Sequence, residues 1–452
     1  MTRQLRTAIS WAFIAAFLAC APLVVLYTAG YKYSWKKIKV EKTGIIQADS
    51  VPAGATVFLN DEQQGAVTPA PIARLLPETY RVRFALDGYF PWEKTVDVRS
   101  GETAFVTNAA LIKESLPQLV QEADVLAFGA DGDGAHAAYL AATADGTELR
   151  LSASGAAPSL LARFPAGAHQ DPHIDWSPNG LWFLYTAHTA KGVRIAIAYP
   201  VKLGAEPIAL HERFKNSAIR DVSWSSDGVS LVVRTVTGTF IANTATDTVA
   251  TAETRPDVQD VLLRDRTVFV LRTVSDSTIL ERRTLGSDAE PHSIATLPSG
   301  AYAFLRIHDG PYLLVADRGQ GTIRVMSPDD GVLADEVTGT SARWLSGSRV
   351  PRLLSWNDFE ISVSDVRAHD HRLVTRIGER IRSCAWHPSG AVVLYSTATG
   401  IRAADVDDRE PRNVFTLVHF DTVSGFAVDV KNGVIRFSGA VGNQRGIFER
   451  EF

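Results

Sequence analysis

A chain of 452 residues, 46% hydrophobic and 21% charged, has the composition of a folded protein with room for two or three domains, which excludes an extended disordered chain. Its formal net charge is -4, yet residues 1–42 hold seven Lys or Arg against Glu41 alone, a net of +6, so the remainder carries -10. An acidic body excludes the basic surface that binding nucleic-acid phosphates requires, and two cysteines in unlike segments, Cys20 and Cys384, exclude a disulfide-built fold.

From Ala8 to Tyr31 the chain runs 24 residues without a charge. That is enough for a tilted helix to cross the roughly 30 Å of a bilayer's hydrocarbon. Trp11 stands at one end and Tyr27, Tyr31, Tyr33 and Trp35 at the other, the arrangement of interfacial aromatic belts. The run exceeds a signal-peptide core, so an uncleaved anchor is expected over residues 1–35. The alternative is a cleaved or lipidated signal: Ala19-Cys20-Ala21 is its small-x-small site, spoiled by Pro22, and Phe17-Leu-Ala-Cys20 only loosely fits a lipoprotein box. Arg3 and Arg6 flank one side and Lys32, Lys36, Lys37, Lys39 and Lys42 the other. A charge count alone keeps the body in the cytoplasm, but long domains translocate largely regardless of flanking charge. The expectation is an inside N-terminus and an extracytoplasmic body.

Residues 36–114 read as a small all-β sandwich. Strands are expected at Gly44–Val51, Thr56–Leu59, Tyr80–Leu86, Trp92–Val98 and Thr103–Leu111, separated by the turns Pro52-Ala-Gly-Ala55, Asn60–Gly65 and Asp87-Gly-Tyr89, with Thr68-Pro69 as a rigid entry. The set Pro52, Gly54, Ala55, Gly65, Thr68, Pro69, Gly88 and Tyr89 resembles the PEGA domain family, a surface-layer-associated β module. Ala53 replaces the Glu of the eponymous turn, and Glu78 stands where a Gly commonly precedes the Tyr strand; neither disturbs a turn that keeps Gly54.

Residues 115–452 read as a β-propeller. Three segments repeat one pattern: Asp175-Trp-Ser-Pro-Asn-Gly180, Ser223-Trp-Ser-Ser-Asp-Gly228 and Ala385-Trp-His-Pro-Ser-Gly390. Each is a strand ending at Trp176, Trp224 or Trp386, a turn closed by Gly180, Gly228 or Gly390, and a second strand. The first two copies lie 48 residues apart, and weaker copies at Leu262, Ile307, Trp344, Trp386 and Val428 follow at steps of 37 to 45, the length of a four-stranded blade. With Val125–Phe128 as one more copy, eight blades are expected, seven being the alternative. The last repeat, from Gly425, has room for three strands, so its fourth is expected from Gln118–Gln121. The Trp-Ser-Pro-Asn/Asp-Gly punctuation resembles TolB-like and WD-repeat propellers. One anchor, a PEGA unit and a propeller together resemble bacterial envelope proteins, a resemblance that implies no reaction.

Candidate chemistry is weak against plain structural readings. Asp131-Gly-Asp-Gly134 offers Asp131 and Asp133 to a hard cation, but no Glu stands near the twelfth place of a calcium loop, so a hairpin turn is favoured. His369, His371 and His387 read as turn histidines rather than a metal cluster. No Gly-x-Ser-x-Gly and no phosphate loop occur, and no cofactor is expected. The expectation is therefore a non-enzymatic, membrane-anchored envelope protein whose propeller binds a protein or cell-wall partner. A propeller hydrolase or lyase acting at the central channel and a glycan or peptidoglycan binder are the alternatives.

Overall fold

A computed structural model describes residues 3–153, 156–287, 289–307 and 309–452; Met1 and Thr2, at the start of the expected anchor, lie outside the described residues. The chain forms two compact units. One comprises the residues up to Glu114 together with Asp407–Asn413, the other the residues from Ser115 to Val406 and from Val414 to Phe452.

The first unit opens with the helix Arg3–Thr28, which includes the apolar stretch Ile9–Thr28. At 1.5 Å per residue its 26 residues extend about 39 Å. Its side chains from Ile9 onward are exposed almost throughout. The helix ends before the uncharged run does: it stops at Thr28, whose hydroxyl donates back to the carbonyls of Val24 and Val25, each at 3.0 Å, and Gly30 takes φ +83° just beyond. Tyr31–Ser34 then pairs with Lys39–Lys42 as a hairpin.

Seven strands make the sandwich. One sheet runs in the order Glu62–Val67, Thr56–Leu59, Thr79–Ala85, Trp92–Asp97; the other runs Ala70–Leu75, Gly44–Val51, Thr103–Ala110, its last pair parallel. Alternation puts Ile46, Val57, Val82, Phe84 and Val106 between the sheets with no exposed area, and Trp92 stacks on Phe84 at 5.0 Å. Glu62–Val67 and Ala70–Leu75 were not expected as strands. Gly65 and Pro71 hide them in the sequence, and both lie at sheet edges, where Gly and Pro are tolerated. Lys94 is fully buried here, donating to the carbonyls of Asp407 and Arg409 at 2.8 and 2.9 Å.

In the second unit the described residues form eight four-stranded antiparallel sheets, spanning 124–165, 170–209, 219–253, 258–298, 302–338, 341–376, 383–419 and 422–451, the last completed by Gln118–Glu122. Each sheet touches the next and the eighth touches the first, so the sheets form a ring, a β-propeller, with the first strand of each innermost. The hydrophobic core is divided between neighbouring sheets: Ala138 and Leu149 of the first meet Phe183 and Tyr185 of the second. The long first repeat step has a local cause, since the second sheet's outer strand shrinks to Ile208–Ala209 and a one-turn helix, Leu210–Arg213, follows. In the fifth sheet the first strand is only Tyr302–Phe304, so Ile307 falls beyond it. Closure rests on Gln118–Glu122 lying antiparallel along Gln444–Glu451. Beside it Arg436 reaches Glu449 at 2.8 Å, Asp429 at 3.6 Å and the carbonyl of Gly134, in the first sheet, at 3.0 Å.

Candidate functional site

The residues marked by sequence pattern fall into two structural knots. In the sandwich, the Oγ1 of Thr68 accepts the backbone N–H of Ala55 at 3.0 Å and lies 2.6 Å from the hydroxyl of Ser50, which bonds to the carbonyl of Pro52 at 2.7 Å. Gly54 donates to the carbonyl of Thr68 at 2.7 Å, so Pro52, Gly54, Ala55 and Thr68 share one hydrogen-bonded corner, and Pro69 follows it in the chain. Gly65 lies in the edge strand Glu62–Val67, the carbonyl of Gly88 accepts the N–H of Glu114, and Tyr89 bridges Lys113 while packing on the core.

In the propeller, each repeat Trp closes the innermost strand and faces the preceding sheet. The indole of Trp224 donates to the carbonyl of Asp175 at 3.2 Å, and that of Trp386 to the carbonyl of Arg343 at 3.3 Å. Trp176 packs on Phe183 at 5.3 Å and beside His136. The turns that follow stack in the same sense around one face. Gly228, at φ +68°, leaves no space for a side chain, because a Cβ there would meet Asn179 of the previous turn at 2.5 Å. Gly180 abuts Asp131, and Gly390 abuts Leu345. Trp224 and Trp386 thus bond between blades, and Trp176 packs between them, rather than forming an exposed aromatic platform.

Asp131 and Asp133 do not converge on a cation. The buried Asp131 accepts the backbone N–H of His136 at 3.2 Å and lies 2.9 Å from its ring Nδ1, while Asp133 is exposed. His369 and His371 both approach Asp335, at 3.4 and 3.3 Å, whereas His387 contacts Ser389 at 2.8 Å and the ring of Phe452. Burial pulls His387 down to about 4, so it is neutral at pH 7. Among the described residues no group of three or more His, Cys, Asp or Glu is arranged to hold a metal. Cys384 is buried, and burial raises its thiol far above the range of a nucleophilic cysteine.

Two other places carry chemistry. At the ring's axis, Asp175 and Arg343 occupy the same repeat position, immediately before Trp176 and Trp344, on sheets four places apart in the ring of eight. Both side chains are accessible to solvent, yet protein encloses them closely enough for desolvation to dominate. Burial raises the carboxyl of Asp175 to about 6; Asp221 adds to the rise, while His173 and Arg343 oppose it. Burial lowers the pKa of Arg343. Neither side chain has an ion-pair partner among the described residues, and ring closure alone brings these sequence-distant residues within electrostatic reach. Sequence reading passed over both; charge at a repeat position that holds Ser223 and Ala385 elsewhere was the available signal.

The second place is a cleft of about 740 Å³ between the sixth and seventh sheets, lined by Trp356, Asp358, Glu379, Arg380 and Arg382 among others. Strand alternation puts it on the face opposite the Trp-Gly turns, because it is built from second-to-third-strand turns and the link between sheets. Arg380 pairs with Asp358 at 3.1 Å, Arg402 with Glu379 at 3.2 Å, and Arg382 donates to the carbonyl of Val423 at 2.8 Å. Trp356 and charges of both signs thus line the cleft.

Residues 43–110 match the PEGA domain. In this chain the PEGA domain is followed by a propeller and preceded by an apolar helix long enough to be a membrane span or a signal sequence. No curated protein matches the chain. Among solved structures it is similar to a eukaryotic initiation factor, at 10% identity and TM-score 0.47 over 80% of this chain and 96% of that one. It is similar to the Dos1 propeller at 13% identity and TM-score 0.47, over 74% and 95%. It is similar to a chain of a mitotic checkpoint complex at 15% identity and TM-score 0.42, over 62% and 90%.

Proposed function

We propose that this is a non-enzymatic, single-pass membrane protein of the cell envelope. In this reading residues 1–35 anchor it, 36–114 form a PEGA stalk, and 115–452 present a propeller surface to a protein or cell-wall partner. The N-terminus lies inside and the body outside. The cleft between the sixth and seventh sheets carries the proposal, since it brings Trp356 together with charges of both signs on the loop-built face where propellers commonly bind. The exposed apolar helix supports the anchor. One observation favours a second reading: the carboxyl of Asp175, held at about 6, has the ionisation of a general acid or base, which suits a hydrolase or lyase acting at the axis.

A photo-reactive residue placed at Arg380, with Leu373 on an outer strand as reference, tests the first reading in cells expressing the full chain. A partner captured from the cleft position and not from the reference supports it; equal capture from both positions overturns it. Turnover of an ester, peptide or glycan by the purified protein, lost in Asp175→Asn, would establish the enzymatic reading instead.

A further inference from the structure

The hairpin that follows the helix has a surface that neither the PEGA domain nor the propeller accounts for. Its register pairs Tyr31 with Lys42, Lys32 with Glu41, Tyr33 with Val40, and Ser34 with Lys39. Directly paired residues share a face. One face thus holds Ser34, which is buried, and Glu41, which gathers Lys37 and Lys39 at 3.3 and 2.8 Å. The other face holds Tyr31, Tyr33 and Val40, with Lys42 beside Tyr31, all exposed. At the tip Trp35 is 85% and Ile38 78% exposed, and Trp35 packs edge-on against Tyr33 at 4.8 Å.

The hairpin is held against the sandwich as well. Lys37 donates to the carbonyl of Pro77 at 3.0 Å and Lys36 pairs with Glu78 at 3.4 Å. The sandwich in turn grips the end of the helix: the guanidinium of Arg74 lies over the ring of Tyr27 and donates to its hydroxyl. Thr43 bonds the carbonyl of Gly30 through both its N–H and its hydroxyl, at 2.8 and 2.7 Å. The apolar face therefore begins within three residues of the end of the apolar span, Ile9–Thr28. A strand of four residues extends about 13 Å, a length that fits along a bilayer's polar boundary. Five lysines against one glutamate lie in residues 31–42. Tyr and Trp bodies with a lysine fringe match the headgroup layer of a membrane rich in anionic lipid.

We infer that the hairpin 31–42 is a second membrane contact, its Tyr31, Tyr33, Trp35, Ile38 and Val40 surface seated in the headgroup layer of an anionic bilayer on the side of the body. This rests on the anchor reading. The contact makes the short link between span and sandwich a fixed mount rather than a free tether.

The test uses the full chain in nanodiscs of phosphatidylcholine alone or with phosphatidylglycerol. An environment-sensitive dye is attached at Ile38→Cys or, separately, Trp11→Cys, both on a Cys20→Ser background in which Cys384 stays buried. The Trp11 probe reports the span and the Ile38 probe the hairpin. The expected result is quenching of the Ile38 probe by headgroup-level spin-labelled lipid and at least threefold protection from aqueous iodide. Protection should grow with phosphatidylglycerol, and the gain should shrink in Lys32→Gln, Lys42→Gln combined, which leaves the bonds of Lys36, Lys37 and Lys39 in place. A Trp11 probe quenched from within the bilayer beside an Ile38 probe fully open to iodide would overturn the inference and leave the anchor standing. If the Trp11 probe is also open to iodide, the anchor reading itself fails, and the hairpin proposal with it.

Discussion

Replacing Arg436 by Met should loosen the ring at one place, its closure. The Arg436 side chain is 3% exposed and that of Asp429 fully buried, and the guanidinium joins the eighth sheet to itself through Asp429 and Glu449 and to the first through the carbonyl of Gly134. Removing one partner of a buried charge pair costs about 3–5 kcal/mol, because the other charge is stranded. Asp429 keeps bonds from the backbone and side chain of Asn432, at 2.9 and 2.7 Å, which places the loss near the lower end. A loss of about 3 kcal/mol corresponds to amide exchange faster by on the order of 10²-fold wherever exchange proceeds through opening of that blade. Hydrogen exchange read by mass spectrometry on peptides covering Gln118–Glu122 and Gln444–Glu451, with residues 258–298 as the reference, measures it. Asp429→Asn combined with Arg436→Met removes the stranded charge and should recover part of the protection. Equal rates in the closure and reference peptides of Arg436→Met would refute the reasoning.

Trp224→Phe removes the bond to the carbonyl of Asp175 but keeps much of the packing, so it should cost about 1 kcal/mol, against about 3–5 kcal/mol for Trp224→Ala, measured by chemical denaturation. Gly228→Ala combines a left-handed backbone with a Cβ forced against Asn179; it should lower the thermal midpoint, and Asn179→Gly in the same chain should restore part of the loss. Asp175 has a folded-state pKa above the ordinary aspartate value of 3.8, so its favourable contribution is complete below about 4 and is lost as pH rises through about 6. Asp175→Asn should flatten that part of the stability–pH curve, and an unaltered curve would dismiss the desolvation account. Deleting Ser115 to Gln121 should expose the edge at Gln444–Glu451 and speed its amide exchange far more than a loop deletion of equal length.

Local rules made the repeat legible. A tight turn that needs a left-handed residue selects Gly180, Gly228 and Gly390, and a strand end that must cover its neighbour selects Trp176, Trp224 and Trp386, so both leave marks at fixed spacing. The closing strand was legible by counting, because an unpaired edge demands a partner. Tyr31–Lys42 was hidden because tyrosines beside an apolar run fit an aromatic belt as well as a strand, and one sequence pattern serves both. Asp175 and Arg343 escaped for a different reason: each is unremarkable in its own repeat, and only the closing of the ring turns the two into one electrostatic environment. The same holds for His369 and His371, whose shared Asp335 lies on the preceding sheet.

Gln118–Glu122 also determines how the protein would bear load. If the body is tethered through its N-terminal side, a pull enters the propeller at the strand that seals it. That strand lies along Gln444–Glu451, so the ladder between the ring's two chain ends is the first to carry the load. Ser115 adds a bond to the carbonyl of Glu451 at the point of entry. Traction on the tether would therefore load first the clasp made by the two ends of the ring's own chain.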